Sequence, residues 1–245
     1  MVSNFYQLVA EHGHYSNSKR LKHYLENQLF KGIDFKGKSL IDIGGGAGLY
    51  GFYAAVNGAK EVVIMEPEFD GSSQGMIKGF NEINQLLGSL KNITHTTKVL
   101  EDYDRENNQF DYILMHNSIN HIDEDACIVL KQDKAAQNKY LKFFNLLQEI
   151  SKPETKLIIC DCARSNLFGD MKIKNPIVRS IEWDKHQNPD VWAEFLEQAG
   201  YRKESISWNS PNAFGKLGTM FMNNKLAAYL TTSHFNMIMS NRRGK

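Results

Sequence analysis

The chain has 245 residues, with 29 Lys plus Arg against 28 Asp plus Glu and a formal net charge of +1 at pH 7. That length suits one large α/β domain over residues 1–245 better than two small ones, and the near-neutral balance excludes a broad field drawing the surface to nucleic acid or an anionic membrane. Cys127, Cys160 and Cys162 are too few for a disulfide framework and lack zinc-ribbon spacing, and no run approaches the roughly 20 apolar residues of a membrane span, so buried thiols in a cytoplasmic protein are the expectation.

Residues 1–36 read as an N-terminal cap: Leu21, Tyr24, Leu25 and Leu29 recur at helical spacing and predict a helix over 18–30, started by Ser16 or Asn17. Short apolar runs then predict strands at 39–43, 61–65, 93–99, 110–115 and 156–160, with helices over 49–57, 71–87 and 135–150 between them. Strand and helix alternate in the manner of a parallel sheet covered on both faces, because parallel strands need crossover connections. A segment at 162–189 follows as an insertion able to act as a lid. Beyond it come a helix over 189–199, a strand over 202–208, a helical insertion within 209–232, and a last strand over 234–240, which together imply a closing strand pair at the sheet edge. The stripe Phe214, Leu217, Met220, Phe221, Leu226, Tyr229 and Leu230 has helical spacing and reads as core or homodimer packing.

The run Asp42-Ile-Gly44-Gly45-Gly46-Ala-Gly48 stands where a strand hands over to a helix. Small residues there admit a ligand to the backbone, and the helix N-terminus supplies N–H groups. A nucleotide-like cofactor is implied. Gly46-Ala-Gly48-Leu-Tyr-Gly51 also matches the dinucleotide fingerprint, so spacing alone leaves a nicotinamide cofactor open. Glu66, followed by Pro67, ends the second strand where an acid accepts from ribose hydroxyls of either cofactor.

The stretch from Asp42 to Gly48, Val62 to Glu66, and Phe110-Asp-Tyr-Ile-Leu-Met-His116 together resemble class I S-adenosylmethionine-dependent methyltransferases of the bacterial small-molecule type, over most of the chain from Lys38 onward. The resemblance implies a doubly wound, Rossmann-like α/β fold with a seven-stranded sheet and an antiparallel last strand. It implies S-adenosylmethionine as methyl donor and S-adenosylhomocysteine as product. Asp42, Gly44, Gly45, Gly46, Gly48, Glu66, Pro67, Asp102, His116 and Asn117 would line the cofactor, with the pair Glu101-Asp102, Asp102 ahead of Glu101, facing adenine and His116 and Asn117 beside the methyl.

A sulfonium methyl is already activated, so the protein has chiefly to align an acceptor and exclude water. His121, in His116-Asn-Ser-Ile-Asn120-His121, is the first choice of base for a hydroxyl acceptor, with loop capping as its alternative, and His116 shapes the site. Asn117 opposite Asp161 gives no second acid for a metal, so metal independence is expected. Tyr15, Asn120, Arg164, Trp183 and His186 are acceptor candidates, and the basic and aromatic content of 162–189 suits an anionic, phosphorylated or sugar-like small molecule, such as a cell-surface polysaccharide precursor. The rivals are a nicotinamide-dependent oxidoreductase and a non-catalytic cofactor-binding subunit.

Overall fold

The computed structural model describes residues 2–67, 74–211 and 215–242. Its strands are β1 (Ser39–Ile43), β2 (Glu61–Met65), β3 (Ile93–Thr96), β4 (Phe110–His116), β5 (Ser151–Cys162), β6 (Tyr201–Trp208) and β7 (His234–Asn241). They form one sheet in the order β3-β2-β1-β4-β5-β7-β6, with β1 parallel to β2 and β4, β2 parallel to β3, and β7 antiparallel to β5 and β6. This is the seven-stranded Rossmann-like arrangement expected, including the antiparallel last strand. β1 is buried along its whole length, which is why its sequence is apolar apart from Ser39 and Asp42. β6, at the edge, exposes Arg202, Lys203, Glu204 and Ser205 and carries a register shift between Lys203 and Ser205, devices that blunt edge-to-edge pairing.

The chain divides into two compact units, residues 1–116 with 150–155, and residues 117–149 with 156–245. In the first, α1 (Val2–Glu11) is a helix that the mixed composition of the N-terminus did not signal; it buries Phe5, Tyr6 and Val9 on one face. α2 (Ser18–Tyr24), capped by the Asn17 side chain, continues into a π-helical turn over Leu25–Leu29. Phe30 stacks on Tyr53 of α3 (Leu49–Val56) with centroids 5.5 Å apart, and Phe35 meets Tyr53 and Tyr112 edge-on. α4 (Met76–Leu86) begins later than expected, and residues 71–73 of that expectation lie outside the described residues. β3 is shorter than expected and gives way to a 3-10 turn at Leu100–Asp102. β5 starts five residues early, since Thr155 bonds the Phe110 carbonyl at 2.5 Å and Lys152 reaches Asp111 at 2.8 Å.

In the second unit a 3-10 turn (Ile119–Ile122) and α5 (Glu124–Val129) precede α6 (Lys134–Glu149), two elements too short for periodicity to reveal. The Tyr140 hydroxyl of α6 lies 3.2 Å from the carbonyls of Ile119, Asn120 and Asp123, pinning that turn, and its ring packs on Trp192 of α8 (Pro189–Gln198). The segment 162–189 contains α7 (Leu167–Asp170) and a 3-10 turn at Trp183–Lys185. Buried amides stitch it down: Asn166 donates to the Tyr229 and Thr231 carbonyls, Asn175 to Thr231, and Gln187 to Cys127.

The apolar stripe becomes two helices, α9 (Gly215–Met222) and α10 (Lys225–Tyr229). Its core reading fails at Met220, Phe221, Leu226 and Leu230, all exposed; Phe214 and the Leu217 side chain lie outside the described residues. All three cysteines are buried free thiols, and no described helix is long and apolar enough to cross a membrane.

Candidate functional site

The glycine turn of the first unit is built on β1. The Gly44 N–H bonds the Met65 carbonyl at 2.8 Å, Gly48 closes back on Gly45 at 2.8 Å, and Gly44, Gly46 and Gly48 all have positive φ. A Cβ on Gly45 would stand 2.8 Å from Asp42 Cγ and 2.9 Å from Ile64 Cγ2, so only glycine lets the chain pass over the Asp42 carboxyl. The third glycine of the dinucleotide pattern serves packing: a Cβ on Gly51 would lie 2.2 Å from Ile64 Cδ1, against β2. Glu66, half-buried just beyond β2, accepts from the Gly46 N–H at 2.9 Å, and Pro67 follows it half-buried.

Asp42 is fully buried, and neither carboxylate oxygen has a hydrogen-bond partner among the described residues. Burial first, and the Glu66 charge second, raise its carboxyl to about 8. A cradle of small, half-exposed residues above an unsatisfied acid is the kind of place a ligand with N–H groups completes.

At the carboxyl end of β4, His116 Nε2 lies 2.6 Å from the Tyr24 hydroxyl, and the Tyr50 ring sits 4.2 Å from the imidazole. Sequence reading counted Tyr24 only as an apolar position of a helix, and its hydroxyl went unnoticed. Tyr15 lies half-buried in the turn between α1 and α2, its N–H on the Val9 carbonyl. Asp102 is exposed on its 3-10 turn, where Arg105 bonds the Leu100 and Glu101 carbonyls.

The second unit holds the remaining candidates. Asn117 is exposed and left-handed at φ 51, its N–H bonded to the Cys160 carbonyl at 2.7 Å. Asn120 is buried, its Oδ1 without a partner among the described residues. His121 is exposed, its Nδ1 2.7 Å from Glu124, which also binds Lys185 at 3.0 Å. Arg164 donates to the Ile128 carbonyl at 2.9 Å, and Trp183 is buried under Gly169, where a Cβ would stand 2.8 Å from the indole. His186 Nδ1 lies 3.1 Å from Asp161 Oδ1. Among the described residues no group of three or more His, Cys, Asp or Glu is placed to hold a metal ion.

A family model described as a methyltransferase domain matches residues 9–206. The chain belongs to that family. It is an S-adenosylmethionine-dependent methyltransferase, and the family match, rather than the spacing of Gly46 to Gly51, displaces the nicotinamide reading. Among solved structures, the methyltransferase resembles a putative sarcosine dimethylglycine methyltransferase from Galdieria sulphuraria with TM-score 0.60 and 15% identity, covering 94% of this chain and 88% of that one. A SAM-dependent methyltransferase from Aquifex aeolicus gives TM-score 0.55 and 17% identity over 91% and 96%. The [4+2]-cyclase SpnF gives 0.56 and 13% over 92% and 81%. At such identities the likeness is one of fold, and a cyclase on the same fold means the acceptor has to be argued from side chains. No curated protein matches the chain.

Proposed function

We propose that this methyltransferase transfers the methyl group of S-adenosylmethionine to a hydroxyl of a small polar acceptor, sugar-like or phosphorylated. The observation that carries the reading is the buried Asp42, whose two oxygens have no partner among the described residues, beneath a turn of glycines. Asp42 would hold the ammonium of the methyl donor's amino-acid end, Gly44, Gly45, Gly46 and Gly48 would line it, and Glu66 beside Pro67 would exchange its Gly46 bond for the ribose hydroxyls. The bound donor supplies a sulfonium methyl that needs no covalent nucleophile. Tyr24, Tyr50 and His116 would wall the methyl end, His116 fixed by the Tyr24 hydroxyl. Exposed Lys172, Lys174 and Arg179 on the segment 162–189 favour an anionic group on the acceptor.

Calorimetry with S-adenosylmethionine, S-adenosylhomocysteine and NADH on wild type and Glu66→Ala tests the donor site. Binding of the sulfur compounds that weakens about tenfold or more in the variant is expected, since a hydrogen bond to a charged group is worth about 1.5–3 kcal/mol. NADH binding alone would defeat it. Transfer of tritiated methyl to a panel of phosphorylated sugars, nucleotide sugars, neutral sugars and phenols, against a matching panel of amines, tests the acceptor; labelling of amines only would defeat the oxygen reading.

A further inference from the structure

The second unit gathers its uncovered apolar surface in one place. Of the nine large apolar side chains exposed among the described residues, seven belong to the stretch 171–177 or to α9, α10 and the residue that follows α10. Met171, Ile173 and Ile177 stand on the first, and Met220, Phe221, Leu226 and Leu230 on the second, with Met220 75% and Leu226 67% exposed. Apolar side chains exposed singly are ordinary, whereas a cluster of them marks a surface that meets something apolar.

Hydrogen bonds join the two stretches. The Tyr229 hydroxyl donates to Asp170 Oδ2 at 2.9 Å, the Asn166 amide to the Tyr229 and Thr231 carbonyls at 3.1 Å, and the Asn175 amide to the Thr231 carbonyl at 2.6 Å. Leu230 therefore lies between two residues bound by the stretch that carries Met171 and Ile173. Leu226 stands one helical turn before Leu230 on the same side of α10, and Asn224 donates to the Phe221 carbonyl at 3.1 Å, closing the corner from α9 to α10.

Cations are interleaved with these side chains. Lys172 and Lys174 flank Ile173, Lys225 precedes Leu226 and Arg179 follows Ile177 by two places; all four are exposed, and none is ion-paired among the described residues. Asp170, engaged by Tyr229, is the one acid in residues 170–180 and 215–230. The near-neutral chain thus carries a local positive face. A soluble phosphorylated molecule would use these cations but has no use for the apolar side chains between them. A second copy across a two-fold axis would set the cations against one another. An anionic lipid surface accepts both, since ammonium and guanidinium groups reach its phosphates while the apolar side chains enter the acyl boundary.

We propose that this face docks the protein on an anionic lipid surface. The inference stands on exposure, bonding and charge within one unit and is independent of the acceptor's identity. Docking of this kind is peripheral and reversible, with the side chains of α9, α10 and the stretch 171–177 at the interface and no segment crossing it.

The test is co-sedimentation of the full chain with vesicles of phosphatidylcholine alone and of phosphatidylcholine with phosphatidylglycerol in equal parts, beside sedimentation velocity without lipid. One variant combines Phe221→Ser with Leu226→Ser, another Lys172→Gln, Lys174→Gln and Lys225→Gln; melting followed by circular dichroism reports whether each is folded. Wild type is expected to partition onto the anionic vesicles at least about tenfold more than onto phosphatidylcholine, and less as salt rises. The apolar variant should lose about tenfold or more of that partition, and the lysine variant about a hundredfold, each Lys near such a surface contributing roughly fivefold. Brominated phosphatidylcholine in the anionic vesicles should quench the added emission of Phe221→Trp over that of wild type. If the apolar variant does not fold, the lysine variant and the quenching decide. No partition onto anionic vesicles at low salt overturns the proposal, as do partition retained by both folded variants, equal partition onto the two kinds of vesicle, and Phe221→Trp emission untouched by bromine. A lipid-free dimer that the apolar variant dissolves assigns the face to a second copy and overturns docking on lipid.

Discussion

Replacing Asp42 by Asn should stabilise the ligand-free protein, and the gain should depend on pH with a definite sign. The folded carboxyl sits near 8 against 3.8 for the ordinary group, chiefly because it is buried and secondarily because Glu66 is charged beside it. Below pH 3.8 both folded and unfolded chains carry the proton, so the acid costs nothing. Between there and about 8 the folded chain retains a proton that the unfolded chain releases, so stability falls by about 1.4 kcal/mol per pH unit, reaching a loss on the order of 5 kcal/mol above pH 8. An amide of the same shape has no such charge to desolvate. Urea unfolding of both proteins at pH 4, 6, 7 and 9 should give curves that nearly coincide at pH 4 and diverge upward in favour of the variant, with Glu66→Gln reducing the divergence only in part. The same variant should bind S-adenosylhomocysteine more weakly if the proposed contact of the carboxylate with the ligand's ammonium holds. Wild-type and Asp42→Asn stabilities that run parallel from pH 4 to pH 9 would refute the argument that Asp42 is an unrelieved buried acid.

Asp111 has the opposite sign: burial alone would raise it, but Lys152 and the N–H and hydroxyl of Ser39 outweigh burial and hold it at about 2. Its contribution is present above pH 3.8 and lost as pH falls through about 2, so Asp111→Asn should cost about 1–2 kcal/mol at pH 7, allowing for solvent screening, and progressively less in acid unfolding. Gly51→Ala places a methyl against Ile64 and should destabilise by about 1–3 kcal/mol in chemical denaturation, with Ile64→Val in the same chain recovering part of the loss. Tyr24→Phe removes the bond to His116 and should cost about 1 kcal/mol, with the imidazole resonance of His116 shifting in NMR. Phe221→Ser, on the exposed face of α9, should change monomer stability by less than about 0.5 kcal/mol; a larger loss in urea unfolding would mean that the side chain is covered.

What the sequence determined by itself was whatever depends on near neighbours. Short apolar runs between helical segments specified the strands and their crossovers, and the placement of Asp42, the glycines and Glu66 around two strand ends specified the glycine turn, because a strand-to-helix turn is complete within a few residues. Short elements such as α5 and α7 escaped, having too few turns to show a period. Tertiary structure decided the pairings that cross the chain. Tyr24 meets His116 across 92 positions, and His186 meets Asp161 across 25, through the folding of the segment 162–189. Among eight histidines of equal intrinsic chemistry, only burial and a carboxylate brought from another element separate His186 from His121, and neither is a property of local spacing. The stripe from Met220 to Leu230 makes the same point, since helical periodicity marks an apolar face while the packing of other elements decides whether that face is covered.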